Sequence, residues 1–291
     1  MDGSLPPSAG IVPRKGPDFG LDGDIPRYWF DNDPFKTRFF DAMSLLFPEG
    51  EKFFIACVRD YREQIQDPAL AAQVKDFMYQ EGQHGMVHTQ FNNRVKAQGV
   101  AVDHILAEQK RIMFGFFRKR FPRTFTLGQT CAAEHMTALM AHGFFGNGMF
   151  AKADPRIRAM YAWHAVEEIE HKAVAFDVYQ KVARGSWLMR VLSMLFVSIT
   201  FPMHTFLIMR HMFAVDGLKQ RWKLWARGLW WLYGPGGLFP RLLPAYLAYF
   251  SPRFHPWQHG DLDIYRHWRQ TFESNGGDAI AAGDAVLAYT T

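Results

Sequence analysis

At 291 residues with 48% hydrophobic side chains, the chain can bury a core in one large domain, which excludes a disordered protein. The net charge of +5 and the pI near 9.2 would suit a nucleic-acid binder, but the basic residues alternate with Trp, Leu and Phe, as at membrane surfaces. We therefore expect no nucleic-acid partner. Cys57 and Cys131 have no zinc or redox spacing, so we expect reduced core cysteines in a cytoplasmic protein.

Four segments differ in composition. Residues 1–26 contain Gly, Pro and Asp without the apolar run of a signal peptide, so we expect a flexible lead-in. Residues 27–185 are expected to form a helical bundle, which carries the motifs described below, and residues 186–275 an apolar and amphipathic helical extension that packs on the bundle or on a membrane. Residues 276–291 are expected to form a loose tail.

The first bundle helix is predicted to begin at Pro48, after a separate short helix over residues 41–47, because proline is tolerated in a first helical turn. Glu51 is the metal ligand predicted on it. Glu49 is the weaker alternative, since a carboxylate near a helix start is explained by the helix dipole without a metal.

The second helix is predicted to start at Asp67-Pro68 and to run through Gln98. It carries Glu81, His84 and His88, which share one helical face because residues three and seven positions apart lie above one another. Its glycines at positions 82 and 85 cost helix stability, which a close approach of another helix near the metals would explain.

The third helix is predicted from about Thr126 to Gly146, after an amphipathic crossover over residues 102–123. Glu134 lies there among apolar neighbours, and a buried carboxylate needs a partner. The fourth helix starts at Asp154-Pro155 and carries Glu168 three residues before His171, with His164 one turn earlier on the same stripe.

Read together, these helices present the order Glu, Glu-x-x-His, Glu, Glu-x-x-His. Ferritin-like four-helix bundles hold two metal ions with this inventory, and the gaps between successive motifs fit two helical hairpins joined by a long crossover. The predicted fold is therefore an all-α, ferritin-like four-helix bundle with additional C-terminal apolar helices. Its predicted metal ligands are Glu51, Glu81, His84, Glu134, Glu168 and His171, with His88 and His164 as additional candidates, and no catalytic residue is predicted beyond them.

The last third of the chain is unusually apolar. Residues 191–209 contain no formal charge, which reaches the length of a membrane span, but Pro202 and His204 near the middle favour a hydrophobic hairpin or a helix lying in the interface. The Trp, Lys and Arg residues that follow are typical of an interfacial amphipathic helix. An ordinary buried helix pair beside an apolar pocket remains the third alternative.

The segments Phe47–Phe54, Glu81–His84, Glu134-His135 and Glu168–His171 together resemble a bacterial family described as predicted metal-dependent hydrolases, over about residues 28–272. Their ligand pattern is also similar to that of di-iron carboxylate oxygenases and oxidases. The resemblance implies a ferritin-like fold and a dinuclear site, and it leaves the reaction open.

Carboxylate-rich ligand sets with two histidines favour iron or manganese over structural zinc. The first hypothesis is therefore an oxidoreductase with two metal ions, iron in the first place and Mn/Fe or Zn as alternatives, that uses O2 to oxidise a hydrophobic or lipid-like molecule. An electron-donor protein, a peripheral membrane contact at the inner face of the membrane and an oligomer are compatible with it. The alternatives are a dinuclear hydrolase, which the extra histidines favour, and a non-catalytic metal-binding bundle.

Overall fold

The computed structural model describes residues 10–145, 148–258 and 262–290. These residues contain helices and turns without any β-strand, so the predicted all-α class is confirmed. The helices in chain order are α1 (Pro34–Arg59), α2 (Pro68–Ala97), α3 (Val102–Lys110), α4 (Arg118–Arg120), α5 (Arg123–Phe145), α6 (Pro155–His171), α7 (Val174–Asp177), α8 (Trp187–Val215), α9 (Trp222–Tyr233), α10 (Leu238–Ala248), α11 (Leu262–Ser274) and α12 (Ala279–Thr290). Two π-helical turns interrupt this order, Arg111–Phe117 between α3 and α4 and Val178–Val182 after α7.

The four helices that carry the predicted ligands are α1, α2, α5 and α6. α1 packs along α2 and α5 packs along α6, while α1 also contacts α5 and α2 contacts α6. Three of them begin in the same way: Asp33, Asp67 and Asp154 each accept a backbone N–H of the first turn, and a proline follows each aspartate. Proline has no N–H to leave unpaired at that position, so the Asp-Pro pair fixes the helix start.

Pro48 lies inside a continuous α1, so the predicted break between residues 47 and 48 is wrong. Proline in a helix removes the hydrogen bond to the carbonyl four residues earlier, which is that of Ser44. The amide Nδ2 of Asn92 in α2 donates to this carbonyl at 3.0 Å and replaces the missing bond. The helix therefore continues through the proline because a neighbouring helix supplies the donor.

Both ends of the described chain pack on the bundle. In the expected lead-in, residues 10–26 bury Phe19, Leu21 and Ile25, while residues 1–9 lie outside the described residues. In the expected loose tail, α12 packs on α6, and a Cβ at Gly283 would stand 3.0 Å from the Ala159 backbone. The small residues of this segment suggested a loose tail from sequence. In the structure they allow the backbones of α12 and α6 to approach closely.

α8 is a single helix, so the alternative of a hairpin at Pro202 is wrong. One side of it packs against α5 and α1, where Met209, Met212 and Phe213 are buried. Within the described ranges it is the one helix that is long and apolar enough to cross a membrane, judged by length and composition alone.

Candidate metal centre

The six predicted ligands lie together in the interior between α1, α2, α5 and α6. Two triplets have donor atoms within 4.8 Å of one another: one combines Glu51, Glu81 and His84, and the other combines Glu81, Glu168 and His171. Glu134 adjoins the second triplet, since its Oε2 lies 3.4 Å from Nε2 of His171. Glu81 belongs to both triplets, so it could face two cations at once.

The two additional candidates lie in the same cluster. The donor atoms of His164, His84 and Glu168 form a further triplet within 4.8 Å, and so do those of His164, His88 and Glu51. Glu49, the weaker alternative to Glu51, lies elsewhere: its carboxylate pairs with Lys52 at 2.6 Å, and the Lys52 side chain is largely exposed.

Most of the donor atoms have no hydrogen-bond partner among the described residues. Both carboxylate oxygens of Glu51, Glu81 and Glu134 are buried without one, and so are Nδ1 of His84 and Nε2 of His171. Buried polar atoms of folded proteins are nearly always paired, because leaving one unpaired costs roughly 1–3 kcal/mol. A cluster of such atoms, all of them metal-ligand types, fits bound cations.

The pKa values of the carboxyl groups point the same way. Burial raises the pKa of Glu51, Glu81 and Glu134, and the other carboxylates of the cluster raise it further. Glu168 differs: burial would raise its pKa, but the adjacent imidazoles of His164 and His171 outweigh burial and hold the pKa well below its usual range. The protein alone therefore disfavours the ionised form of the carboxyl groups of Glu51, Glu81 and Glu134, and bound cations would favour it.

His171 is oriented by a glutamine. Nδ1 of His171 lies 2.9 Å from Oε1 of Gln80, and the Gln80 amide donates to Glu170 at 2.8 Å and to the carbonyl of Val12 at 3.2 Å. Because the amide N–H groups are engaged in those bonds, Oε1 accepts from Nδ1–H of His171. Nε2 of His171 is then the nitrogen that faces the cluster, 3.1 Å from Glu81 and 3.6 Å from Glu168. Burial opposes a charge on His171, but Glu134 and Glu168 outweigh it and raise its pKa well above the usual range, so a metal ion would replace a proton on Nε2.

His84 is oriented in the same way by Glu167. Nε2 of His84 lies 3.1 Å from Oε2 of Glu167, and a carboxylate can only accept, so Nε2–H donates and Nδ1 faces the cluster. Burial opposes a charge on His84, but its hydrogen bond to Glu167 and the adjacent carboxylate of Glu168 outweigh it and raise its pKa to about 10. A metal ion would replace the proton on Nδ1 of His84.

His164 follows the same pattern through a longer chain of hydrogen bonds. Because Nδ2 of Asn92 donates to the Ser44 carbonyl, its Oδ1 accepts from the Ser44 hydroxyl at 2.9 Å. The only hydrogen of that hydroxyl is used in this bond, so its oxygen accepts from Nδ1–H of His88 at 2.8 Å. Nε2 of His88 is then an acceptor, and Nδ1 of His164 donates to it at 2.7 Å. This leaves a lone pair on Nε2 of His164, 3.0 Å from Glu168.

The N-terminal segment closes the outer side of the site. Arg14 donates to both oxygens of Glu170, at 3.0 and 2.7 Å, and to Glu167 at 3.3 Å, and the backbone N–H of Val12 also donates to Glu170. The Arg14 guanidinium stacks 5.5 Å above the ring of Trp268. Glu167 and Glu170 are thus both buried and paired.

One of the two predicted close approaches is present. A Cβ at Gly85 would stand 3.1 Å from Oε2 of Glu51 and 3.9 Å from the backbone of Pro48, so glycine lets α1 and α2 come together beside the ligands. At Gly82 no atom lies within 4 Å of such a Cβ, so the close-approach explanation is wrong there.

An apolar cavity of about 420 Å³ adjoins the carboxylate cluster. Its wall includes Gly50 and Ala133, the immediate chain neighbours of Glu51 and Glu134, and Thr137, whose hydroxyl donates to Glu168. Most of the remaining wall is aromatic or aliphatic, from α1, the π-helical turn Arg111–Phe117, α5 and α8. The cavity can hold a small apolar molecule next to the cluster.

The model of a family described as predicted metal-dependent hydrolase matches residues 13–260. The chain belongs to this family. Membership in the metal-dependent hydrolase family agrees with the buried Glu and His cluster and supports metal dependence. No curated protein and no solved structure matched the chain.

Proposed function

We propose that this member of the metal-dependent hydrolase family is an enzyme with two metal ions in the cluster. Glu51, Glu81 and His84 would face one ion, and Glu134, Glu168 and His171 the other, with Glu81 between them. The observation that carries the proposal is the set of buried, unpaired ligand atoms. We further propose that His164 is a third nitrogen ligand, since it resembles His84 and His171 in having one nitrogen fixed by an outside partner and the other aimed inward.

The metal is expected to be iron or manganese. Four carboxylates and three imidazoles form an oxygen-rich donor set, which these metals accept, whereas structural zinc usually has four ligands dominated by thiolate and imidazole. When bound, a reduced pair of such ions supplies electrons for O2 activation, while a redox-inactive pair supplies Lewis acidity for the activation of water.

The reaction that the surroundings favour is the O2-dependent oxidation of an apolar substrate. The cavity wall beside Thr137 offers aromatic and aliphatic contacts and few polar groups that could hold the leaving group of a hydrolysis. Such a wall would position an apolar chain and exclude water from it. Insertion of one oxygen atom, with reduction of the other to water, consumes two electrons and two protons, so an electron-donor protein is part of the proposal.

Hydrolysis is the second candidate, because the description of the family names it. In that case the same cavity would bind the apolar part of an ester or amide. Gln109, Gln129 and His204 are polar groups of its wall and would be partners for a polar leaving group.

Metal content and redox response separate the candidates. The protein is prepared metal-free with a chelator and reloaded anaerobically with Fe²⁺, Mn²⁺ or Zn²⁺, and bound metal is quantified. We expect two ions per chain, and for iron an optical and EPR change when O2 is admitted. Two bound zinc ions, no response of the iron form to O2 and cleavage of long-chain esters by the zinc form would instead establish hydrolysis. Failure to bind any of these metals would contradict both.

His164→Ala tests the third nitrogen ligand. We expect metal binding to weaken by at least roughly tenfold and the EPR signal of the iron form to change, because one ligand atom is lost. His88→Ala is the companion variant: it keeps the ligand but removes the hydrogen bond that selects its tautomer, so a smaller weakening is expected. If the spectrum of His164→Ala matched that of the wild type, His164 would not be a ligand.

A further inference from the structure

An exposed apolar stripe runs along α8. Its members recur every three or four residues, so they share one side of the helix, away from α1 and α5. They are Leu188, Leu192, Leu195, Ile199, Met203 and Leu207, and we call this stripe the α8 face. Ile199 at its centre is 67% exposed. Single exposed apolar residues are common on protein surfaces, but a continuous exposed apolar stripe usually marks an interaction site.

The elements on either side of α8 continue the α8 face. On one side, Phe117 of the π-helical turn contacts Phe196 of α8 with ring centroids 5.2 Å apart, and the neighbouring Phe116 is exposed. On the other side, Tyr246 of α10 hydrogen-bonds Ser198 of α8, and Leu243 and Leu247 of α10 are exposed. The apolar surface is therefore several helices wide. It is contributed by the π-helical turn, α8 and α10 together.

Positive charge accompanies this surface. Residues 187–250 contain seven Lys and Arg against one acidic residue, Asp216, which is already paired with Arg27 and Arg38. Six of the seven basic residues are exposed: Arg210, Lys219, Arg221, Lys223, Arg227 and Arg241. α9 packs beside α8 through the contact of Trp225 with Phe206. Two further tryptophans of α9, Trp222 and Trp230, are 70% and 67% exposed. Exposed tryptophan interleaved with lysine and arginine is typical of helices at the membrane interface.

We propose that the α8 face and its basic surroundings dock on the surface of an anionic lipid bilayer. Apolar side chains would enter the region between headgroups and acyl chains, and the exposed basic residues would contact anionic headgroups, each contributing about 1 kcal/mol at close range. The protein binds peripherally and does not span the membrane, because the opposite side of α8 is packed against α1 and α5. A span would draw those charged helices into the hydrocarbon.

Docking in this orientation presents the cavity to the lipid. The cavity reaches the surface between the π-helical turn and α8, where Phe116 and Met203 are both part of its wall and exposed. A molecule dissolved in the bilayer could then enter without crossing water. This assignment of a membrane-dissolved substrate rests on the proposed function, whereas docking itself needs neither metal nor turnover.

Co-sedimentation with vesicles tests the docking. The full-length protein is incubated with vesicles of phosphatidylcholine alone or of an equal mixture of phosphatidylcholine and phosphatidylglycerol. We expect binding to the anionic vesicles that weakens with added salt, and little binding to the neutral ones. Leu192→Glu and Ile199→Glu, at exposed positions outside the cavity wall, are each expected to weaken binding roughly tenfold or more.

Met86→Glu is the matched control, since Met86 is an exposed apolar residue of α2. It should bind vesicles like the wild type, and the circular dichroism of all three variants should be unchanged. Equal binding by all variants, or no preference of the wild type for anionic vesicles, would overturn the proposal. So would a wild-type dimer in analytical ultracentrifugation that Ile199→Glu dissociates without any vesicle binding, because the α8 face would then belong to a second copy of the chain.

Discussion

Replacing Glu134 with Gln is expected to stabilise the metal-free protein and to remove most of its stabilisation by metal. The Glu134 carboxyl is buried without a hydrogen bond, close to other carboxylates, so its neutral isostere avoids the cost of burying a charge or of protonating the carboxyl, and it can donate to a neighbouring carboxylate. We expect a gain of about 1–3 kcal/mol in the metal-free state. Because an anionic ligand is lost, metal affinity should fall by at least about a hundredfold.

Calorimetric melting with and without Fe²⁺ or Zn²⁺ measures both effects. Glu49→Gln serves as the control, since Glu49 is on the same helix as Glu51 but pairs with an exposed lysine instead of facing the cluster. It should change melting little and leave the response to metal intact. Wild-type metal affinity in Glu134→Gln would show that Glu134 is not a ligand.

Replacing Arg14 with Met is expected to cost about 3–5 kcal/mol of folding stability, on the order of 10 °C in Tm, because it leaves Glu167 and Glu170 buried without their cation. Metal binding should weaken as well. Arg14 holds Glu170, Glu170 holds the Gln80 amide, and that amide selects the tautomer of His171.

Thermal melting and metal titration of Arg14→Met give the two readouts. Arg14→Lys keeps the charge but loses the forked hydrogen bonds, so it should fall between Met and the wild type. Arg111→Met removes an arginine from an exposed pair with Glu108 and should leave both readouts unchanged. An Arg14→Met protein that melts and binds metal like the wild type would contradict the role given to the N-terminal segment.

The parts of the site that could be predicted from sequence are those that depend on local geometry. The spacing of Glu81 and His84, and of Glu168 and His171, places each pair on one helical face whatever the rest of the fold does. The burial of Glu134 followed from its apolar neighbours. The structure brings these residues together, and their assignment as ligands remains a prediction until metal is measured.

The residues that sequence reasoning missed act across large separations in the chain. Arg14 reaches residues more than 150 positions away, and no periodic pattern marks it. Ser44 and Asn92 looked like ordinary polar residues of two helices. A signal did exist for Asn92, because a proline within a helix always frees a carbonyl that needs a donor, but the donor's identity depends on how the helices pack.

Pro48 links the backbone of α1 to the chemistry of the imidazoles. The unmet carbonyl that it creates fixes the direction of one amide, which fixes a hydroxyl, and through His88 this sets which nitrogen of His164 carries its hydrogen. If Pro48 were replaced by a residue with a backbone N–H, that N–H could bond the Ser44 carbonyl in place of Asn92. The orientation of the Asn92 amide, and with it the positions of these protons, would then no longer be fixed. A missing backbone hydrogen bond in α1 thus determines the tautomer of an imidazole on α6.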